Sequence, residues 1–267
     1  MRRATSFPRS DVPWRWAVLG ACIGGLLALV LFAPARWLTS RVAAATGGQV
    51  LLLDARGTVW TGSAQFVLTG GSGSNDAAAL PTRVDWRLGP SFTGLRLHLS
   101  SACCTPQPLA MSIGLGLGST RVDVVNATSR WPAAILAGLG TPWNTLQLEG
   151  DLDLRTQDLK LRWAAGRLQV DGSAELTAEG VASRLSTVRP MGSYRLTLTG
   201  GPVPALQLTT VGGALQLKGS GQWVGSRLRF TGEASAAPDR ETALANLLNI
   251  IGRRNGARSI ITIGSPS

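Results

Sequence analysis

Residues 146–154 read LQLEGDLDL, with Leu146, Leu148, Leu152 and Leu154 on one parity. Gln147, Glu149, Asp151 and Asp153 take the other. Successive side chains of an extended chain point to opposite faces, so this stretch reads as a strand with one apolar and one wet side. The pattern returns in Leu159-Leu161-Trp163, Leu168-Val170, Leu196-Leu198, Leu206-Leu208, Leu215-Leu217 and Leu228-Phe230. Gly150, Gly172, Gly200-Gly201 and Gly212-Gly213 supply turn signals between the runs. A meander of antiparallel strands with one solvated face is the expected core architecture.

Working outward, Gln49 to Leu53 forms a further apolar run, with a turn expected at Asp54 to Gly57, and GGSGSN at 70–75 is a polar loop. Two short helices are expected. One begins near Trp131-Pro132 and carries Ile135, Leu136 and Leu139. The other runs from Asp239, as its N-cap, to Arg253, with Leu244, Leu247, Leu248 and Ile251 as its apolar stripe. Arg253 and Arg254 would then sit at its C-terminus, where positive charge suits the helix dipole. A last strand, Ser259 to Ile263, is expected to close the sheet. Strands with one apolar face and little helix to cover them leave two solutions. The sheet closes on itself as a sandwich or barrel-like shape, the commoner outcome, or it curls into an open apolar groove.

At 267 residues the chain can bury a sizeable core. Charged residues make up only 15%, and 33 glycines suit short strands and tight turns. The net charge of +11 comes almost wholly from arginine, Lys160 and Lys218 being the only lysines. Such a bias fits a GC-rich genome and also attraction to an anionic surface.

Near the N-terminus, Trp16 to Ala33 (WAVLGACIGGLLALVLFA) is an uncharged run of the length that spans hydrocarbon. Trp14, Trp16 and Trp37 flank it as interfacial aromatics. Arg2, Arg3, Arg9 and Arg15 precede it against Asp11 alone. Positive charge stays inside, so the expectation is a cytosolic tail at 1–15, a transmembrane helix at 16–36 and an exported domain at 37–267. Ala33-Pro34-Ala35 has the small-x-small form of a cleavage site, but the apolar run exceeds a signal-peptide core and a proline sits within it. With most of the chain outside the cytosol, no nucleic-acid partner is expected.

No nucleophile elbow, phosphate loop or His-Glu-x-x-His signature occurs. His98 stands alone in RLHLS, without a second imidazole for a metal site. Asp151 and Asp153 fall on a solvated strand face, not on an acid–base pair. Neither a cofactor, a metal nor a catalytic residue is expected, and the chain reads as non-enzymatic. Cys22 is a small hydrophobe within the apolar run, and no disulfide is assumed for the adjacent Cys103 and Cys104, since neighbours bridge only through a distorted peptide unit.

Architectural residues stand out instead. Gly57 and Gly62 bracket an expected strand carrying Trp60 and permit turn geometry at its ends. Trp60, Trp86 and Trp163 each bring a large apolar body and one donor, fitting a core or a groove wall. Pro190 and Tyr194 flank Gly192 at a turn into a strand, where Tyr194 ties its hydroxyl to backbone.

The order of GTVWTGSA (57–64), LPTRVDWRLGP (80–90), TPWNTLQLEGDLDL (141–154), SRLSTVRPMGSYRLTLTG (183–200) and GSGQWVGSRLRFTGEASAAPDRETALANLLNIIGRR (219–254), behind one anchor, resembles protein N of the bacterial type II secretion system. The resemblance runs from the anchor nearly to the C-terminus, although none of these motifs is specific by itself. It implies a mainly β protein: a transmembrane helix followed by a curled antiparallel sheet of AsmA-like type with two short helices. It implies an accessory inner-membrane component, largely periplasmic, supporting export of folded proteins across the outer membrane. The implied partners are the other inner-membrane platform subunits of that machine and, in an alternative role as a lipid-binding or lipid-transfer module, lipid.

Overall fold

The computed structural model describes residues 14–264 except Thr93, Leu117 and Ser226. Arg2, Arg3, Arg9 and Asp11 lie outside the described residues. Helix α1 (Trp14–Leu31) is the one described helix long and apolar enough to cross a membrane, and none of its residues is buried. A break at 32–34 separates it from α2 (Ala35–Ala45).

The rest is a meander. Strands β1 (Val50–Gly57), β2 (Thr61–Thr69), β3 (Ala77–Ala79), β4 (Val84–Ser91) and β5 (Gly94–Ser101) come first. They are followed by β6 (Leu109–Gly116), β7 (Ser119–Val124) and β8 (Ala127–Pro132). A 3-10 helix at Ala133–Leu139 and a single helical turn, α3 (Trp143–Leu146), lead into the two long strands β9 (Leu148–Ala164) and β10 (Arg167–Ser183). Then come β11 (Gly192–Gly201), β12 (Ala205–Gly213), β13 (Leu215–Val224) and β14 (Arg227–Ala236). Helix α4 (Glu241–Ile251), β15 (Arg253–Asn255) and β16 (Arg258–Ile263) end the fold.

All strands join one antiparallel sheet in the order β1-β2-β4-β5-β6-β7-β9-β10-β11-β12-β13-β14-β16-β15, with β3 added to β2 and β8 to β9. The two ends, β1 and β15, do not pair, so the barrel-like alternative is not adopted. The last strand, β16, lies between β14 and β15 and does not close the sheet.

Alternation carried the strand assignments, and several details differ from it. Leu146 belongs to α3, not to a strand, and Gln147 takes a left-handed backbone (φ 42°) that starts β9 afresh at Leu148. Gly150 and Gly172 are not turns: both lie inside the long strands at register shifts. Asp158 (φ 48°) lies opposite Gly172 at the same shift, which explains why the leucines change parity from Leu152 and Leu154 to Leu159 and Leu161. One extra residue bulges out of the ladder, and both sets stay on the same face. Asp54 (φ 48°) does the same in β1, so the expected turn at 54–57 is a bulged strand and the true turn is at 58–60. Aspartate enters left-handed backbone more readily than most residues.

The helices also shift. The segment after Trp131-Pro132 is a 3-10 helix. Asp239 is not the N-cap of α4: its carboxylate meets Arg240, and the cap position makes no side-chain bond. Arg253 and Arg254 stand in β15 rather than at the helix terminus. Cys103 and Cys104 form a disulfide, with Cys104 buried and Cys103 exposed.

Burial is divided among three clusters. Under α2, Ala35, Ala64 and Trp86 pack together. Leu80, Val84, Cys104 and Ile135 gather beneath the 3-10 helix. Leu244, Leu247 and Leu248 of α4 close over Val181, Met191, Tyr194, Leu215 and Ala234. Each fully buried leucine stabilises by about 2 kcal/mol.

Candidate interaction surfaces

Two features of this sheet could engage another molecule: the joint with α1 and the apolar face. The joint is built by the turn between β1 and β2. Trp60 Nε1 donates to Val30 O at 2.7 Å, which caps a carbonyl in the last turn of α1. Val59 N–H donates to Ala33 O at 2.8 Å, and Pro34 and Thr58 form an isolated bridge. Trp86 Nε1 in turn donates to Thr58 O and Val59 O, at 3.3 and 3.1 Å, holding the turn from behind. Gly57 opens the turn with φ 87°. Gly62 lies under the Trp86 ring, where a Cβ would stand 2.5 Å from both Trp86 Cζ2 and Arg56 O. Gly57, Trp60, Gly62 and Trp86 therefore meet at one place. Trp60 lies in the turn, not on a strand as the glycine spacing suggested.

Asp54 braces the same corner. It accepts from Arg83 Nη1 at 2.8 Å and Arg56 Nη2 at 3.0 Å. The hydrogen bond from Arg83 and the nearby charge of Arg56 hold its carboxyl below the usual carboxylate range. Together these contacts give α1 a fixed junction with the sheet instead of a free linker.

Trp163 and Tyr194 lie elsewhere. Trp163 is on β9 beside the turn into β10, 42% exposed. Tyr194 is buried in the α4 cluster and donates its hydroxyl to Leu215 O at 3.1 Å. Burial pushes its phenol well above the ordinary value.

On the apolar face, cross-strand partners line up across the sheet. Leu95, Ile113, Val122, Leu161 and Val170 are consecutive partners on β5, β6, β7, β9 and β10. A second row runs Leu154, Leu176, Leu196 and Leu208 across β9 to β12. Most of these side chains are half-buried, flanked by their strand neighbours, and only Leu208 reaches the α4 cluster. Among the described residues no helix lies over the first row. Sequence showed the alternation that makes each strand two-sided, but not that the rows join into one stripe, which depends on register.

The polar end of the molecule offers a shallow cleft of about 480 Å³ between Asp76, Asn144, Glu149 and Arg184. Its groups are already engaged: Asn144 donates to Asp76, and Glu149 meets Arg184 and Arg189. Asp151 and Asp153 lie on the wet face, Asp153 held by Arg130 at 2.7 Å. His98 stands opposite Arg87 on the same face. Among the described residues no cluster of histidine, cysteine and carboxylate groups could hold a metal ion.

Residues 48–261 match the family described as type II secretion system (T2SS), protein N. Comparison with curated proteins finds no match, and neither does comparison with solved structures. The matched span starts just before β1 and ends inside β16, so it takes in the whole path of the sheet.

Proposed function

The chain belongs to the type II secretion system protein N family, and we propose that it serves that machine as an accessory inner-membrane component supporting export of folded proteins across the outer membrane. In this reading residues 1–15 are cytosolic, 16–36 span the inner membrane and 37–267 form the periplasmic domain. The family match over nearly the entire sheet carries the reading. The apolar α1 and its bonded junction with the β1–β2 turn support it, because they would hold the sheet at a set angle to the membrane. Family membership implies contact with other secretion subunits. The role proposed is positional, with no chemical step.

Deletion of the gene tests this. Exoproteins should accumulate in the periplasm while the envelope stays intact. Crosslinking through a C-terminal tag should recover inner-membrane platform subunits. Normal secretion in the deletion strain would sink the proposal.

One observation favours a second reading, a lipid-binding module: the apolar row on β5 to β10, over which no helix lies among the described residues. That role predicts detergent sensitivity with normal secretion, and lipid retained through purification. Loss of that lipid on Ile113→Asp, in a protein that still folds, would support it.

A further inference from the structure

Strand direction places the turns after β1, β4, β6, β9, β11 and β13 at one end of the sheet, the end joined to α1. Near that end Arg87, Arg96, Arg121, Arg162 and Arg167 sit on β4, β5, β7, β9 and β10, all exposed and each within four residues of a turn. Register puts them on one face: Arg87 opposes His98, Arg96 opposes Ser112, and Arg121 directly opposes Arg162. Among the described residues none of the five makes an ion pair, whereas Arg130, Arg184, Arg189 and Arg195, toward the other end, each meet a carboxylate. The nearest acids on this face are Asp85, two residues before Arg87 on β4, and Asp123 and Asp171, which flank Lys160 across β9. Like charges set directly opposite one another destabilise a sheet unless an outside anion neutralises them.

We propose that this arginine rim docks on the anionic headgroups of the membrane that α1 enters, an inference that rests on α1 being the anchor. Three observations support a bilayer as the partner. The rim is at the anchored end, the junction is bonded and not free to swing, and aromatic side chains accompany the charge. Phe92, at the β4–β5 tip, is fully exposed, and Trp163 lies beside the β9–β10 tip. Exposed aromatic groups beside basic ones suit the headgroup zone. The β4–β5 hairpin runs four residues past Thr61, about 13 Å, which carries Phe92 outward from the junction.

The test uses the full chain in nanodiscs of phosphatidylcholine alone, or of phosphatidylcholine with a large share of phosphatidylglycerol, read by hydrogen–deuterium exchange. Each arginine near an anionic surface is worth about a fivefold gain in occupancy. Amides of residues 88–96 and 162–168 should therefore exchange at least about fivefold more slowly in the anionic discs. High salt should remove that protection. So should the triple variant R96Q/R121Q/R162Q, whose amides around Leu244 to Leu248 should stay protected and show that it is folded. Equal exchange of wild type in both discs would overturn the inference and leave an acidic protein surface as the taker of these arginines. Failure of the chain to enter either disc would overturn the anchor reading, and the inference with it, before any exchange is measured.

Discussion

Trp60 and Tyr194 show how single groups fix this fold through one hydrogen bond each. Trp60→Phe keeps an aromatic group but trades the indole for a smaller phenyl ring without the donor to Val30 O. The expected loss is about 1 kcal/mol, with faster exchange of the Val59 amide that bonds Ala33 O. Unchanged exchange there would mean that the junction holds without the indole. Tyr194 is the chain's one tyrosine, so tyrosinate absorbance reports it alone. Its folded value is raised by burial, so below pH 10 both folded and unfolded forms keep the proton and stability is unaffected. Above pH 10 the unfolded form ionises first, and stability should fall by up to about 1.4 kcal/mol per pH unit. No tyrosinate should appear at that pH until the protein unfolds. Tyr194→Phe should cost about 1 kcal/mol at neutral pH and flatten this contribution to the alkaline decline. The cysteines give a simple check in denaturant: alkylation without reduction should modify Cys22 alone, and after reduction Cys103 and Cys104 as well.

Among the elements, the 3-10 helix at 133–139 contacts β2 and its partner β3 and also β9, which is far from them along the sheet path. It can do so because Gly138 brings its backbone against Leu68 O and Ala78 N. A methyl group there would meet backbone atoms at 2.1 and 2.8 Å, which cannot rotate away. Gly138→Ala should cost about 3 kcal/mol, read as a lower urea midpoint. A shift within about 0.5 kcal/mol would show the segment to be loosely docked. From the sequence, Ile135 and Leu136 marked an apolar helical segment, but its partners were hidden, because a glycine that admits a close approach looks like any other glycine. The bulges were hidden likewise. The parity change between Leu154 and Leu159 was written in the chain, yet reading it as one bulged strand required the partner strand's register.

At the scale of the whole molecule, burial lies in three clusters spread along an open sheet instead of one core. Unfolding should therefore be less than fully cooperative. Hydrogen exchange in rising denaturant should release the β2–β5 amides and the β11–β14 amides at different midpoints. Coincident release would mean that the long β9–β10 hairpin couples the two halves tightly. The free ends are guarded differently: β15 is a three-residue strand with two arginines, and α2 packs beside β1. Short and charged edges discourage pairing with another chain.

Alternating leucines and glycine punctuation determined that the chain would be a two-sided antiparallel meander, and the uncharged run before Pro34 marked the one long apolar helix. Both are local properties, set by side-chain spacing along the backbone. Tertiary structure alone decided that the sheet stays open and that Gly57, Trp60, Gly62 and Trp86 join at the base of α1. It also decided that the apolar rows align across the strands and that Arg87, Arg96, Arg121, Arg162 and Arg167 share one face near one end. These depend on register and on which strands become neighbours, and a bulge of one residue is enough to change either.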